Sequence, residues 1–276
     1  MRLFRYYKAE WAIKTLADLE IRTSVPSALN DPFELSPNIN PAQFTPERIE
    51  AILCHDHIID EYYHREAAKP GFGNKEDYKR WYLGSLPERA AEALKDISKN
   101  IEADRKSFSE KFGRYWRIVC ASLVDDSILM WSHYADSHTG VVLEFDTREP
   151  PFSKIGADSV LTVTYSEKKP DYTHFDYGNG FGEEMFRVAA TKAINWAYEK
   201  EVRIVVAADA LRDRLYLPLT ATCIKGVRLG CRASSETQVA VLETLAQAQF
   251  QHVRVARAEL HPSQYALTFR DISQDA

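Results

Sequence analysis

Six short runs of β-branched and aromatic residues constrain the fold of this chain more than any other feature. They are YWRIVCASL (115–123), GVVLEFD (140–146), LTVTYSE (161–167), EVRIVVAA (201–208), HVRVARAEL (252–260) and YALTFRDI (265–272). Each has strand length and strand composition. RLFRYYK at the start and IRTSV (21–25) read as further strands. Strand and helix patterns alternate irregularly between these runs, and hairpin-like pairings fit them. The expected fold is therefore α+β, with a mixed, mostly antiparallel central sheet and flanking helices, rather than a doubly wound parallel sheet.

The helical patterns fall between the strands. In AEWAIKTLADLE (9–20), Trp11, Ile13, Leu16 and Leu19 follow helical spacing. A helix is expected from about Ser127 to His138, and another over EEMFRVAATKAINW as far as Trp196. SSETQVAVLETLAQAQF (234–250) forms an amphipathic helix, with Ser235 and Gln238 as its capping box. Residues 46–112 differ in character, being charged, helical and poor in strand signals. Thr45 is placed to cap their first helix, with Pro46 at its first position. The expected organisation is a single domain over 1–276 with 46–112 as a helical insertion.

Composition narrows the partners. A net charge of −5 gives no field that would draw a nucleic-acid backbone or an anionic membrane. The four cysteines (Cys54, Cys120, Cys223, Cys231) are scattered, with no C-x-x-C, which points to free thiols in a reducing cytoplasm. No apolar stretch reaches transmembrane length, and MRLFRYYKAEW lacks the apolar core of a secretion leader, so a cytoplasmic protein is expected. The partner expected is a small molecule or nucleotide.

Several chemistries find weak support. His133 and His138 are five apart and so diverge around a helix, and His55, His57 and His64 lie in the charged block; no metal site is expected. There is no G-x-S-x-G elbow, and Cys120 sits inside a strand as a structural thiol. The glycine-rich segments 71–73 and 178–182 do not follow an apolar strand, as a nucleotide-binding turn requires. They read as loops, the second as a candidate lid.

Three segments carry more. On the helix expected around MWSHYADSHTG (130–140), Trp131, Tyr134, Ala135 and His138 share one face, an aromatic wall with a polar tip. Gly140 would close that helix in a left-handed conformation. In NDPFE (30–34), Asn30 and Asp31 are set for an Asx turn before Pro32. In YEKEVRIVV (198–206), strand alternation puts Glu201 and Arg203 on one face and Val202, Ile204 and Val206 on the other. That charged pair is either a structural ion pair or the lining of a cleft.

Taken in order, RLFRYYK, LNDPFE, CASLVDDSILMWSHYADSHTGVVLEFD and KAINWAYEKEVRIVV resemble the bacterial family known as domain of unknown function 2971. The resemblance runs from about residue 3 to 270 and is weakest in the charged block. Ala121 stands where many relatives have phenylalanine. The family implies no activity, but it implies that its motif residues form one set. Those residues here are Arg5, Tyr6, Asn30, Asp31, Glu34, Ser122, Trp131, Tyr134, His138, Glu201 and Arg203.

Two classes of function follow as expectations. The first is an NAD-consuming enzyme, a transferase or glycohydrolase similar in layout to the ADP-ribosyltransferase group. That layout has an early-strand arginine (Arg5), a middle-strand serine (Ser122) and a late glutamate (Glu201) as the catalytic residue; it is an analogy of layout. The second is a non-catalytic nucleotide or small-ligand module, as in bacterial defence or stress response. A third option, a metal-dependent nuclease, requires Asp125, Asp126, Asp136, Glu199 and Glu201 to converge.

Overall fold

The computed structural model describes residues 1–40, 44–66, 73–172, 181–212 and 215–272. The chain forms two compact units: Met1–Glu34 with Lys111–Lys168 and Ala190–Ala276, and Leu35–Glu110 with Lys169–Ala189. The fold class is α+β, with a mixed, mostly antiparallel central sheet and flanking helices.

Among the described residues, the first unit is built on twelve short strands: β1 (Arg2–Tyr7), β2 (Glu20–Arg22), β3 (Trp116–Ser122), β4 (Val141–Asp146), β5 (Val160–Thr162), β6 (Thr164–Ser166), β7 (Thr191–Ala193), β8 (Glu201–Ala207), β9 (Tyr216–Pro218), β10 (Ile224–Leu229), β11 (Arg254–Leu260) and β12 (Leu267–Asp271). Eight of them form one sheet in the order β12-β11-β10-β4-β1-β3-β8-β5. Only β10 and β11 run parallel in it. The remaining strands pair as β2–β9 and β6–β7.

Side-chain alternation gives this sheet two different faces. On one, Leu3, Leu143, Phe145, Ile204 and Val227 bury against Leu16 of α1 (Ala9–Asp18) and Val241 of a later helix, Ser235–Leu245. On the other, Phe4, Tyr6 and Val142 pack against Met130 and Trp131 of the short helix Ile128–Tyr134. The charged residues Glu201 and Arg203 lie on the face of β8 opposite to Val202, Ile204 and Val206, as alternation predicts, yet both are buried.

The second unit contains α2 (Pro46–Leu53), α3 (Asp56–Glu66), α4 (Lys75–Gly84), most of α5 (Leu86–Tyr115) and, after α6 (Ile128–Tyr134) of the first unit, α7 (Phe181–Ala189). The helix Ser235–Leu245 is α8. Thr45 caps α2, its hydroxyl accepting from Arg48 N. A charged sequence acquires a core here because Ile59, Tyr78 and Tyr82 cluster. The Arg89 guanidinium lies 4.3 Å over the Tyr82 ring and pairs with Glu66 at 3.2 Å.

Four local expectations need correction. The helix expected to reach His138 ends at Tyr134, and Asp136, Ser137 and His138 follow in left-handed conformations with φ of 48, 55 and 69°. Gly140 is therefore not the left-handed cap. It is glycine because a Cβ there would stand 2.1 Å from the Tyr7 carbonyl oxygen on the neighbouring strand. The helix expected through Trp196 ends at Ala189, because Thr191–Ala193 pair with β6 and a 3₁₀ turn occupies Ile194–Glu199. Ser234, not Ser235, caps α8. Trp11 is 40% exposed, the core face of α1 being Ala12, Thr15 and Leu16. Of the two glycine-rich segments, residues 71–72 and 178–180 lie outside the described residues.

Candidate functional site

Strands β1 and β3 are bonded at a single pair, Phe4 opposite Ser122. Where they are unpaired, a cleft of about 290 Å³ opens, walled by Arg5, Tyr6, Cys120 and Ala121. On the other side of β3, Ser122 is paired with Glu201 of β8. The order of strands thus sets Arg5, Ser122 and Glu201 around one opening, joined by Asn30, Glu34, Tyr134, Lys192 and Glu199.

The floor of the cleft is a buried charge cluster. Lys192, from β7, reaches Glu199 at 2.6 Å, Glu34 at 3.0 Å and Glu201 at 3.2 Å. Arg203 donates from Nε and Nη2 to the two Glu201 oxygens at 3.0 Å each, and its Nη2 also donates to Glu34. Three carboxylates therefore share two cations, all almost fully buried. The geometry depends on Lys200, whose left-handed backbone (φ 42°) turns the chain between Glu199 and Glu201. Tyr165 Oη accepts from Glu201 N at 2.8 Å and fixes the start of β8.

The two adjacent glutamates differ in proton affinity. Burial opposes ionisation of Glu201, but the Arg203 charge and hydrogen bonds, with Lys192 behind them, bring its carboxyl down to about 2. Burial raises Glu199 and is only partly offset by Lys192 and by the Tyr134 hydroxyl, which donates to its Oε1 at 2.6 Å. Tyr134 in turn accepts from Asn30 Nδ2 at 3.1 Å. Burial, with the neighbouring Glu201 charge, pushes the Cys120 thiol well up, which leaves it a poor nucleophile.

This asymmetry fixes the sign of an acid response. Glu201 titrates lower in the folded than in the unfolded protein, so its contribution is fully present above the ordinary value of 4.5 and is lost as pH falls towards about 2. Denaturant unfolding is expected to show stability dropping across that window, with a shallower drop in Glu201→Gln. Equal slopes in the two proteins would refute the assignment.

Not every sequence-derived residue reaches the cleft. Trp131 is fully buried behind it, donating from Nε1 to the Asp125 carbonyl at 2.7 Å and meeting Tyr6 edge-on. His138 stacks on the far side of Trp131, with Nε2 3.1 Å from Ser132 Oγ, so the expected wall of Trp131, Tyr134 and His138 reduces to Tyr134. The reason is the left-handed turn, which swings His138 off the helix face. Arg203 lies under the cleft rather than in it. Tyr6 donates to the Val124 carbonyl, and Ser122 Oγ donates to the Glu199 carbonyl at 2.6 Å. Asp31 makes the Asx turn, accepting from Phe33 N at 2.9 Å. Asp125 pairs with Arg228, away from Glu199 and Glu201, and the ammonium of Lys192 occupies the centre of the carboxylate group. Among the described residues, no three of His, Cys, Asp and Glu are arranged to hold a metal ion.

Lys192 was missed as a site residue, and Glu199 was considered only as one carboxylate of the nuclease option. The signal was the KAINWAYEKEVR segment itself, in which a lysine and a second glutamate precede Glu201. Residues 130–204 match the family described as "Protein of unknown function (DUF2971)". That segment is similar to DUF2971. The matched stretch of DUF2971 takes in Trp131, Tyr134, Lys192, Glu199, Glu201 and Arg203, whereas Arg5, Asn30 and Glu34 lie outside it. No curated protein and no solved structure matches the chain. No helix among the described residues is long and apolar enough to cross a membrane.

Proposed function

We propose that the protein consumes NAD by breaking the nicotinamide–ribose bond, passing the ADP-ribosyl group to an acceptor hydroxyl or to water. The observation that carries this reading is the pair Glu199 and Glu201, which face one cleft with opposite proton preferences beside Arg5 and Tyr134. Neighbouring carboxylates pushed apart in this way suit a division of roles. As the bond to C1′ breaks, its electron pair passes into the pyridinium ring and nicotinamide leaves neutral, so the leaving group needs no acid. The ribosyl carbon gains oxocarbenium character, which the ionised Glu201 stabilises. The entering hydroxyl loses its proton to Glu199, whose raised proton affinity suits a general base. Tyr134 offers a ring to the nicotinamide, and Arg5 a cation to the phosphates.

The test is nicotinamide release from NAD, followed by chromatography, together with calorimetric titration. Glu201→Gln is expected to lower release by about 10²-fold or more, the scale of losing one group that stabilises transition-state charge. Wild type that neither binds NAD nor releases nicotinamide, or a variant with the wild-type rate, would sink the proposal.

One observation favours a second reading, a ligand-binding module without turnover. Both Glu201 oxygens are already bonded to cations, and the Ser122 hydroxyl is committed to the Glu199 carbonyl. A nucleotide-induced rise in melting temperature with no product would support that reading.

A further inference from the structure

A second cleft, of about 230 Å³, shares Arg5, Tyr6 and Tyr134 with the first and continues past them along α1. Its far wall is one helix face, Trp11, Lys14, Thr15 and Asp18, at the i, i+3, i+4, i+7 spacing. Arg22 and Tyr216, from the β2–β9 pair, close the other side.

The two clefts differ in charge. Facing the first are three carboxylates and Lys192, with Arg5 at the shared wall. Facing the second are four cations, Arg5, Lys8, Lys14 and Arg22, against Asp18 and Glu20. Lys14 is paired with Asp18 at 2.6 Å, and Arg5 is oriented by the Arg22 carbonyl at 2.8 Å and by the Tyr7 ring. Lys8 and Arg22 are exposed and make no ion pair among the described residues. Trp11, beside them on the cleft wall, is 40% exposed.

Size adds to the charge argument. At about 290 Å³ the first cleft sits at the bottom of the range of roughly 300–1,000 Å³ usual for small-molecule sites. It suits the nicotinamide riboside end of NAD, which is cationic and meets the acidic lobe. A remainder carrying a pyrophosphate and an aromatic base needs cations and a ring, and the second lobe offers both.

We infer that the second cleft is a subsite for a pyrophosphate-linked nucleoside, with Lys8 and Arg22 on the phosphates and Trp11 against the base. The inference rests on the NAD reading for what fills the first lobe, but its own ligand class, a nucleoside diphosphate, can be tested alone. ADP is therefore the probe. Calorimetric titration of wild type with ADP, with and without raised salt, is compared with the Lys8→Ala/Arg22→Ala double variant; both side chains are exposed, and a thermal melt checks folding. Wild type is expected to bind ADP, more weakly in salt, and the double variant to bind it about tenfold or more weakly. ADP that is not bound, or is bound equally by the variant, overturns the inference. Failure of the NAD reading looks different: ADP binding is lost in the variant as expected, yet wild type releases no nicotinamide from NAD.

Discussion

Arg203→Ala is expected to lower the folding free energy by about 3–5 kcal/mol, the scale for removing one partner of a buried ion pair. Arg203 has no exposed surface and donates to both oxygens of Glu201 and to Glu34. Without the guanidinium, three buried carboxylates remain around Lys192 alone. Some of them must then take up protons or draw in water, and both responses weaken the site. Set against a domain stability of about 5–15 kcal/mol, the loss is a large fraction of the total. Arg203→Lys keeps the charge but not the planar fork that spans both Glu201 oxygens, so it is expected to rescue stability only in part. Guanidinium unfolding of the three proteins at neutral pH measures this. A loss below about 1 kcal/mol for Arg203→Ala would mean that the cluster is hydrated and the pair weak.

Trp131→Ala is expected to cost about 3–5 kcal/mol, as for other fully buried large side chains. Trp131 fills the space between Tyr6 and His138 under α6 and anchors the helix through its bond to the Asp125 carbonyl. Trp131→Phe keeps most of the apolar burial and removes the donor, so about 1–3 kcal/mol is expected for the unsatisfied carbonyl. The consequence for the site is indirect. Tyr134 ends the same helix and holds Glu199 through its hydroxyl, so a loosened α6 also loosens that hydrogen bond. Equal destabilisation by the two variants would show that the indole N–H, not the packing, carries the effect.

Much of the architecture was legible because strand physics is local. GVVLEFD and EVRIVVAA announce themselves by continuous apolar runs, and both became strands buried along their length. The burial of Glu201 and Arg203 was not legible, since a charged pair at the start of a strand reads equally well as solvated. Nor was the fate of His138 foreseeable. Helical spacing put it on a face with Trp131 and Tyr134, but the chain turns left-handed through Asp136, Ser137 and His138 first. The same limit hid Lys192, which lies in a segment of helical pattern and was drawn into a strand by pairing with β6.

By itself the sequence determined the α+β class, the charged helical block and the family segment, all of which follow from composition, period and local motif. Only the tertiary structure decided which charged residues meet. Glu34 and Arg203 are 169 residues apart and bond because β8 lies beside β3 in the sheet, with the NDPFE turn closing over it. Strand order is a property of long-range pairing, and no local pattern encodes it. The cleft between β1 and β3, and the opposite proton preferences of Glu199 and Glu201 within it, exist only once that order is set.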